Sequence, residues 1–170
     1  MHTPNTDCQI EHRPHRRLLE FAAFAWPGVE GESPHWPTDA GAVIRDDDDS
    51  VCLLQFAPGR VLAPDPSAAT EAAVDAAASQ GAGNRIDVTG KWEHYLVRGP
   101  GAARLLACTV ELNAVLDQRD CAAVTLFDCP AIVARCRDGY ELWVQSSYAC
   151  DFLATAENFR ASLMQANYKG

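Results

Sequence analysis

Apolar residues recur along this chain with two periods, and the switches between them mark its elements. Val51 to Phe56 (VCLLQF) is an apolar run of strand length. Ala57-Pro58-Gly59-Arg60 follows with Pro and Gly at the central positions of a tight turn, so Val61 to Ala63 is expected to pair back. Asp65 and Pro66 suit the cap and first residue of a helix over the Ala-rich Ser67 to Gln80, and Gly81 supplies its stop. Asn84 to Thr89 and Trp92 to Arg98 are predicted strands around a Gly90-Lys91 turn. In the second, Trp92, His94 and Leu96 alternate with Glu93, Tyr95 and Val97, so both faces carry apolar bulk and the strand belongs inside a sheet. Pro100 opens a short helix whose inner stripe is Ala103, Leu106 and Ala107. Cys121 to Phe127, Ala131 to Arg135 and Tyr140 to Gln145 form a meander, with Asp138-Gly139 as its two-residue hairpin signal. Tyr148, Phe152, Ala156, Phe159 and Leu163 then repeat along one face of a closing helix.

The flanks are less regular. Met1 to His15 is polar and carries two prolines, which predicts a disordered tail. Leu18 to Trp26 is a short apolar element ended by Pro27-Gly28, and Gly31 to Gly41, with Pro34, Trp36 and Pro37, is loop. The expected fold is therefore α+β, with antiparallel strands covered by about three helices in a single domain over residues 16–170.

Composition narrows the function classes. A chain of 170 residues can bury roughly 70% of its unfolded surface in one core. A net charge of −9 argues against non-specific binding to nucleic acid or anionic membrane, both of which need clustered Lys and Arg. No apolar run approaches the roughly 20 residues of a membrane span, and the N-terminus lacks the apolar centre of a signal peptide. Cysteines stand at positions 8, 52, 108, 121, 129, 136 and 150 without a C-x-x-C pair. Their apolar, strand-like surroundings predict reduced thiols in the core rather than zinc ligands or disulfides, and hence a cytoplasmic protein.

Candidate chemistry is sparse. Arg98-Gly99-Pro100-Gly101 places backbone amides at a helix start, which serves either a tight turn or an anion, and it lacks the length and Lys of a P-loop. Asp46 to Asp49 lacks the alternate spacing of a calcium loop and suits a solvated hairpin tip. His94 has Asp87 and Glu93 nearby in sequence but no nucleophile to serve, so a core or interface role is expected. Ser146-Ser147 precedes the last helix, where it would cap, and no G-x-S-x-G elbow surrounds it. Asp87-Val88-Thr89 places a carboxylate that most simply bonds the amides of the next turn. Trp26, Trp36, Trp92 and Trp143 could stack on a flavin or folate, or pack in the core. No residue is assigned a catalytic, cofactor-binding or metal-binding role.

The order of these motifs resembles one family. NRIDVTGKWEHYLVRGPGAARLLA, a polar break, and CAAVTLFDCPAIVARCRDGYELWVQSSYACDFL are similar to the gamma subunit of heterotetrameric sarcosine oxidase and relatives acting on other N-methylated amines. The likeness runs from about Trp36 to Asn158, and it includes Trp36-Pro37-Thr38 and the hairpin around Pro58-Gly59. Arg60-Val61 stands where the family usually has an aromatic, and the segment before Trp36 is too short for the helix usual there. The resemblance implies a trimmed aminomethyltransferase-like, folate-binding fold in which Asp87, Thr89, Arg98, Gly99, Pro100 and Gly101 form a structural signature. It implies a non-catalytic accessory subunit with no cofactor of its own. Its partners would be two large alpha- and beta-like flavoprotein subunits and a small zinc-binding delta-like one. FAD, FMN, NAD, tetrahydrofolate and zinc would reside in those partners, which oxidise an N-methyl amine and pass the methyl carbon to tetrahydrofolate. Trp26, Trp36, Trp92 and His94 are then candidates for the interface, as are the solvent side of Trp92 to Arg98, the Trp26 to Pro37 loop and the outer face of the final helix. A free-standing folate-binding or one-carbon-transfer protein and an unrelated α+β interaction module remain alternatives.

Overall fold

The computed structural model describes residues 7–23, 36–37 and 39–167. The fold is α+β, built on two five-stranded antiparallel sheets. The chain divides into two compact units, Met1–Pro14 with Lys91–Gln118 and Ala123–Gly170, and His15–Gly90 with Arg119–Ala122. Each unit is organised on its own sheet.

In the first unit the order is β1 (Gln9–His12), β7 (Trp92–Arg98), β10 (Gly139–Gln145), β9 (Cys129–Cys136) and β8 (Cys121–Leu126). β7 is interior, as its two apolar faces predict, with β1 on one edge and β10 on the other. The tail expected over residues 1–15 is corrected here. Gln9 pairs with Arg98 and His12 with Tyr95, and Arg13 N donates to His94 O at 2.7 Å. Polar residues suit an edge strand with one side in solvent, which is why composition alone suggested disorder. The helix α4 (Ala149–Asn167) lies against this sheet, with Phe152 fully buried between the Tyr95 ring at 5.2 Å and the Phe127 ring at 5.8 Å. Burying that side chain contributes about 2–3 kcal/mol. The short helix α2 (Ala102–Leu106) turns Ala102, Leu105 and Leu106 inward, one position off the expected stripe of Ala103, Leu106 and Ala107. A further single turn, α3 (Leu112–Val115), follows.

The second unit has the order β3 (Val43–Arg45), β4 (Val51–Ala57), β5 (Arg60–Pro64), β2 (Leu18–Ala23) and β6 (Gly83–Asp87). The β4–β5 hairpin forms around Pro58-Gly59 as predicted, with Ala57 opposite Arg60. The helix α1 (Ala68–Ser79) packs Val74 and Ala77 on Phe21 of β2. Its N-cap is Ser67, whose hydroxyl accepts from Thr70 N at 3.1 Å, and not Asp65. Asp65 instead accepts from Arg16 N and Arg17 N, closing the turn that leads into β2. β6 and β7 do not pair around Gly90-Lys91; β6 pairs with β2 and β7 joins the other sheet. The alternation pattern reports a strand's faces and not its neighbour, so this crossover was invisible in sequence.

The two meander turns show what the chain demands locally. Phe127 and Asp128 both have positive φ, 49° and 62°, the signature of a two-residue type I′ hairpin turn between β8 and β9. Gly139 begins β10 where a Cβ would meet Val97 O at 2.0 Å, so glycine is required by the close approach of β7.

Gly139→Ala is expected to cost about 3 kcal/mol or more, because β7 and β10 must separate to admit the methyl group. Gly90→Ala, with φ +80° but open space around it, should cost only about 1–2 kcal/mol. Urea midpoints of the two variants measure this; equal losses would show that the strands do not close on Gly139 as described.

Candidate functional site

Asp87 and Thr89 form a closed structural node. Thr89 N donates to Asp87 Oδ1 at 3.0 Å, and Leu18 N donates to Thr89 Oγ1 at 3.0 Å. Hydrogen bonds from the Thr89 side chain and backbone, with Arg17 and Arg85 nearby, hold the Asp87 carboxyl below its usual range. The carboxylate binds the amide of the next turn, the role that its place at a strand end suggests.

The Gly99-Pro100-Gly101 turn leaves little for an anion. Gly99 N donates to Asp138 O at 3.3 Å, Gly101 N to Asp7 O at 3.0 Å, and Ala102 N to Gly99 O at 3.0 Å, while Pro100 has no N–H. A Cβ on Gly99 would meet Asp7 O at 2.7 Å, so this glycine seats the segment preceding β1. Two shallow grooves flank the turn. One, of about 580 Å³, runs along α2 past Arg104, Cys108, Glu111 and Tyr140; the other, of about 280 Å³, lies between Pro100 and Asp138 and shares Tyr140. Both are open.

The interface candidates are placed differently from one another. Trp26 lies outside the described residues, as does most of the Trp26 to Pro37 loop. Trp36 is half-buried, its ring 5.4 Å from Phe21. Trp92 is only 6% exposed, with Lys91 Nζ over its ring at 5.6 Å. His94 stacks on Trp143 at 4.6 Å with an interplanar angle of 4°, and its Nε2 lies 3.0 Å from Glu141 Oε2. The two atoms are close but not aligned for a hydrogen bond. The Trp143 indole N–H and the Ser146 hydroxyl are buried without hydrogen-bond partners. Neither His94 nor His12, which contacts Glu93 at 2.8 Å, engages a Ser, Thr or Cys side chain. Glu20, 1% exposed, is paired by Arg60, whose guanidinium also covers Phe56 at 5.3 Å. Arg60 thus gains a buried carboxylate partner.

The remaining expectations resolve locally. Asp46 caps the acidic hairpin tip, its Oδ1 accepting from Asp48 N and Ser50 N, and Asp49 takes φ 65°. Ser146 and Ser147 lie in a 3₁₀ turn, Ser146–Tyr148, with no side-chain cap; Ser146 N donates to Lys91 O instead. All seven cysteines are free, with Cys8, Cys121 and Cys129 buried and Cys108 and Cys150 exposed. Burial, helped by Asp120, pushes the Cys121 thiol up to about 12, and burial also raises Cys8 and Cys129. Among the described residues no three His, Cys, Asp or Glu side chains gather as a metal site, and no helix is long and apolar enough to cross a membrane.

What periodicity misjudged is the closing helix. Ala149, Phe152 and Ala156 are buried, but Tyr148 and Phe159 of the expected inner stripe are each 40% exposed, and Leu153 is 37% exposed. A spacing of four, four, three and four fits the helix, yet the sheet beneath covers a narrower arc than the apolar residues span.

No family model matches this sequence, and no curated protein does. Among solved structures, a chain of the heterotetrameric sarcosine oxidase from Corynebacterium sp. U-96, in complex with pyrrole 2-carboxylate, is similar to it. The TM-score is 0.75, and the likeness covers 92% of this chain and 85% of that one at 16% identity. At that identity the likeness shows a shared fold.

Two measurements test the local chemistry. A lowered Asp87 pKa adds stability that is full above the unfolded value, about 3.9, and is lost as pH falls through the folded value. Thr89→Val should therefore move the acid-unfolding midpoint to higher pH by circular dichroism; an unchanged midpoint would contradict the node. Iodoacetamide at mildly alkaline pH should label Cys108 and Cys150 first, with Cys8, Cys121 and Cys129 protected until unfolding. Cys121 labelling as fast as Cys108 would place it outside the core.

Proposed function

We propose that this chain is a gamma-type accessory subunit of a hetero-oligomeric, flavin-dependent oxidase or dehydrogenase acting on an N-methyl amine. The observation that carries the reading is the shared fold with a chain of a heterotetrameric sarcosine oxidase, across nearly the whole length of both. The motif order from Asn84 to Phe152 supports it independently of the fold. In this reading the chain is not itself catalytic. Two large alpha- and beta-like subunits hold FAD, FMN, NAD and the tetrahydrofolate that receives the methyl carbon, and a delta-like subunit holds zinc. The complex works in the cytoplasm. Asp87, Thr89 and the Gly99-Pro100-Gly101 turn then serve the subunit's architecture, since their polar groups are already engaged within the chain.

The test is affinity purification of the tagged full chain from its native host, followed by gel filtration and mass spectrometry. Co-elution with large polypeptides that carry flavin absorbance is expected, and the chain alone should be colourless. Saturating partner, at about 100 times Kd, adds about 2.7 kcal/mol to stability, which raises the melting temperature by roughly 5–10 °C for a chain of this size. A monomer that binds folate and no flavoprotein would overturn the proposal in favour of a free-standing one-carbon protein.

A further inference from the structure

Three of the four large apolar side chains exposed among the described residues, Tyr148, Leu153 and Phe159, belong to α4 or the turn that opens it; Ile86 is the fourth. The other exposed positions of the helix, Cys150, Asp151, Ala154, Asn158, Ala161, Ser162 and Gln165, bring one charge. Glu157 and Arg160 neutralise each other at 2.6 Å, and Arg160 also donates to Cys8 O. Apart from that pair, Asp151 is the charge this face carries.

The flank holding Tyr148 and Phe159 adjoins the β8–β9 turn. The Phe127 ring lies 5.4 Å from that of Phe159, and the Cys129 thiol donates to Tyr148 O at 4.0 Å. Asp128 on the turn and Asp151 on the helix are both exposed; Asp128 follows Phe127, whose ring packs on Phe159, and Asp151 lies one helical turn after Tyr148. Two accessible aromatic rings framed by two carboxylates are complementary to a guanidinium or ammonium group set among apolar side chains. The rings offer cation–π faces and the carboxylates offer ion pairs.

We infer that this face of α4, with Tyr148, Phe159, Asp128 and Asp151, is the docking surface for a different polypeptide that presents an arginine or lysine within an apolar patch. The inference rests on the accessory-subunit reading and names the surface it uses. A second copy is disfavoured by charge, because two chains of −9 repel.

The experiment uses the tagged full chain in its native host, as wild type, Tyr148→Ser/Phe159→Ser and Asp128→Asn/Asp151→Asn. Asparagine tolerates the positive φ of Asp128. The aromatic pair should reduce recovery of the flavin-bearing partner by tenfold or more while the purified variant keeps its melting temperature within a few degrees. The carboxylate pair should weaken recovery and flatten its salt dependence. Undiminished recovery by both variants overturns the docking surface and leaves the accessory-subunit reading intact. A wild-type chain that recovers no flavin-bearing polypeptide overturns both. Sedimentation of the wild type should show a monomer; a dimer that the aromatic pair dissolves assigns the face to a second copy and overturns the inference.

Discussion

The antiparallel contact between β7 and β10 is the constraint on which the first unit depends. It runs in unbroken register from Gly139 opposite Arg98 to Gln145 opposite Trp92. That register brings His94 opposite Trp143, so their rings stack, and Glu141 opposite Leu96, within ion-pair reach of His94. It also presents Tyr95 to α4. A slip of one residue would exchange all of these between the two faces. Gly139 enforces the register at one end, because a side chain there would strike the Val97 carbonyl. The 3₁₀ turn after Gln145 secures the other, where Ser146 N bonds Lys91 O.

Charged groups inside the chain follow the same logic. Glu20 and Glu141 are both deeply buried, and each faces a nitrogen-bearing partner across a strand pair, the Arg60 guanidinium and the His94 imidazole. Such pairs add little net stability, since desolvation offsets most of the Coulomb gain, but removing one partner leaves a buried charge at a cost of about 3–5 kcal/mol. Both carboxylates therefore select register more than they stabilise the fold. Arg60 shows how a departure from the expected hairpin aromatic is accommodated, by a side chain that pairs with Glu20 while its guanidinium covers Phe56.

Much of this was legible in sequence, for reasons that differ by element. The β4–β5 hairpin, α1 and the meander carry local signals, a Pro-Gly turn, an Ala-rich run and a two-residue connection. The hairpin and helix form there, while the β9–β10 turn is Arg137-Asp138, one residue before the expected Asp138-Gly139, and Gly139 instead pairs with Cys136. The crossover from β6 to β7 and the pairing of β1 are long-range facts that no local residue encodes. The cap of α1 was expected at Asp65 and lies at Ser67. Asp65 instead serves the backbone of Arg16 and Arg17. The Gly99-Pro100-Gly101 motif was open between a turn and an anion site because sequence cannot say whether its amides have partners. Asp138 O and Asp7 O supply them from distant segments.

The same accounting separates what the chain consumes from what it leaves accessible. Its conspicuous polar residues are engaged internally: Asp87 by Thr89, Asp46 by its own hairpin, Glu20 by Arg60, His94 by Glu141 and Trp143. Its buried thiols are held protonated by the apolar surroundings that raise them. The two grooves beside the Gly99-Pro100-Gly101 turn are shallow and open, and Glu20 and Glu141 lie between strands of the sheets. The surplus lies on α4, whose apolar arc is wider than the surface beneath it and whose outer positions carry almost no charge. The helix buries Ala149, Phe152 and Ala156 against its own unit. Tyr148, Leu153 and Phe159 stay partly exposed along its flanks, Phe159 with one side against the Phe127 ring.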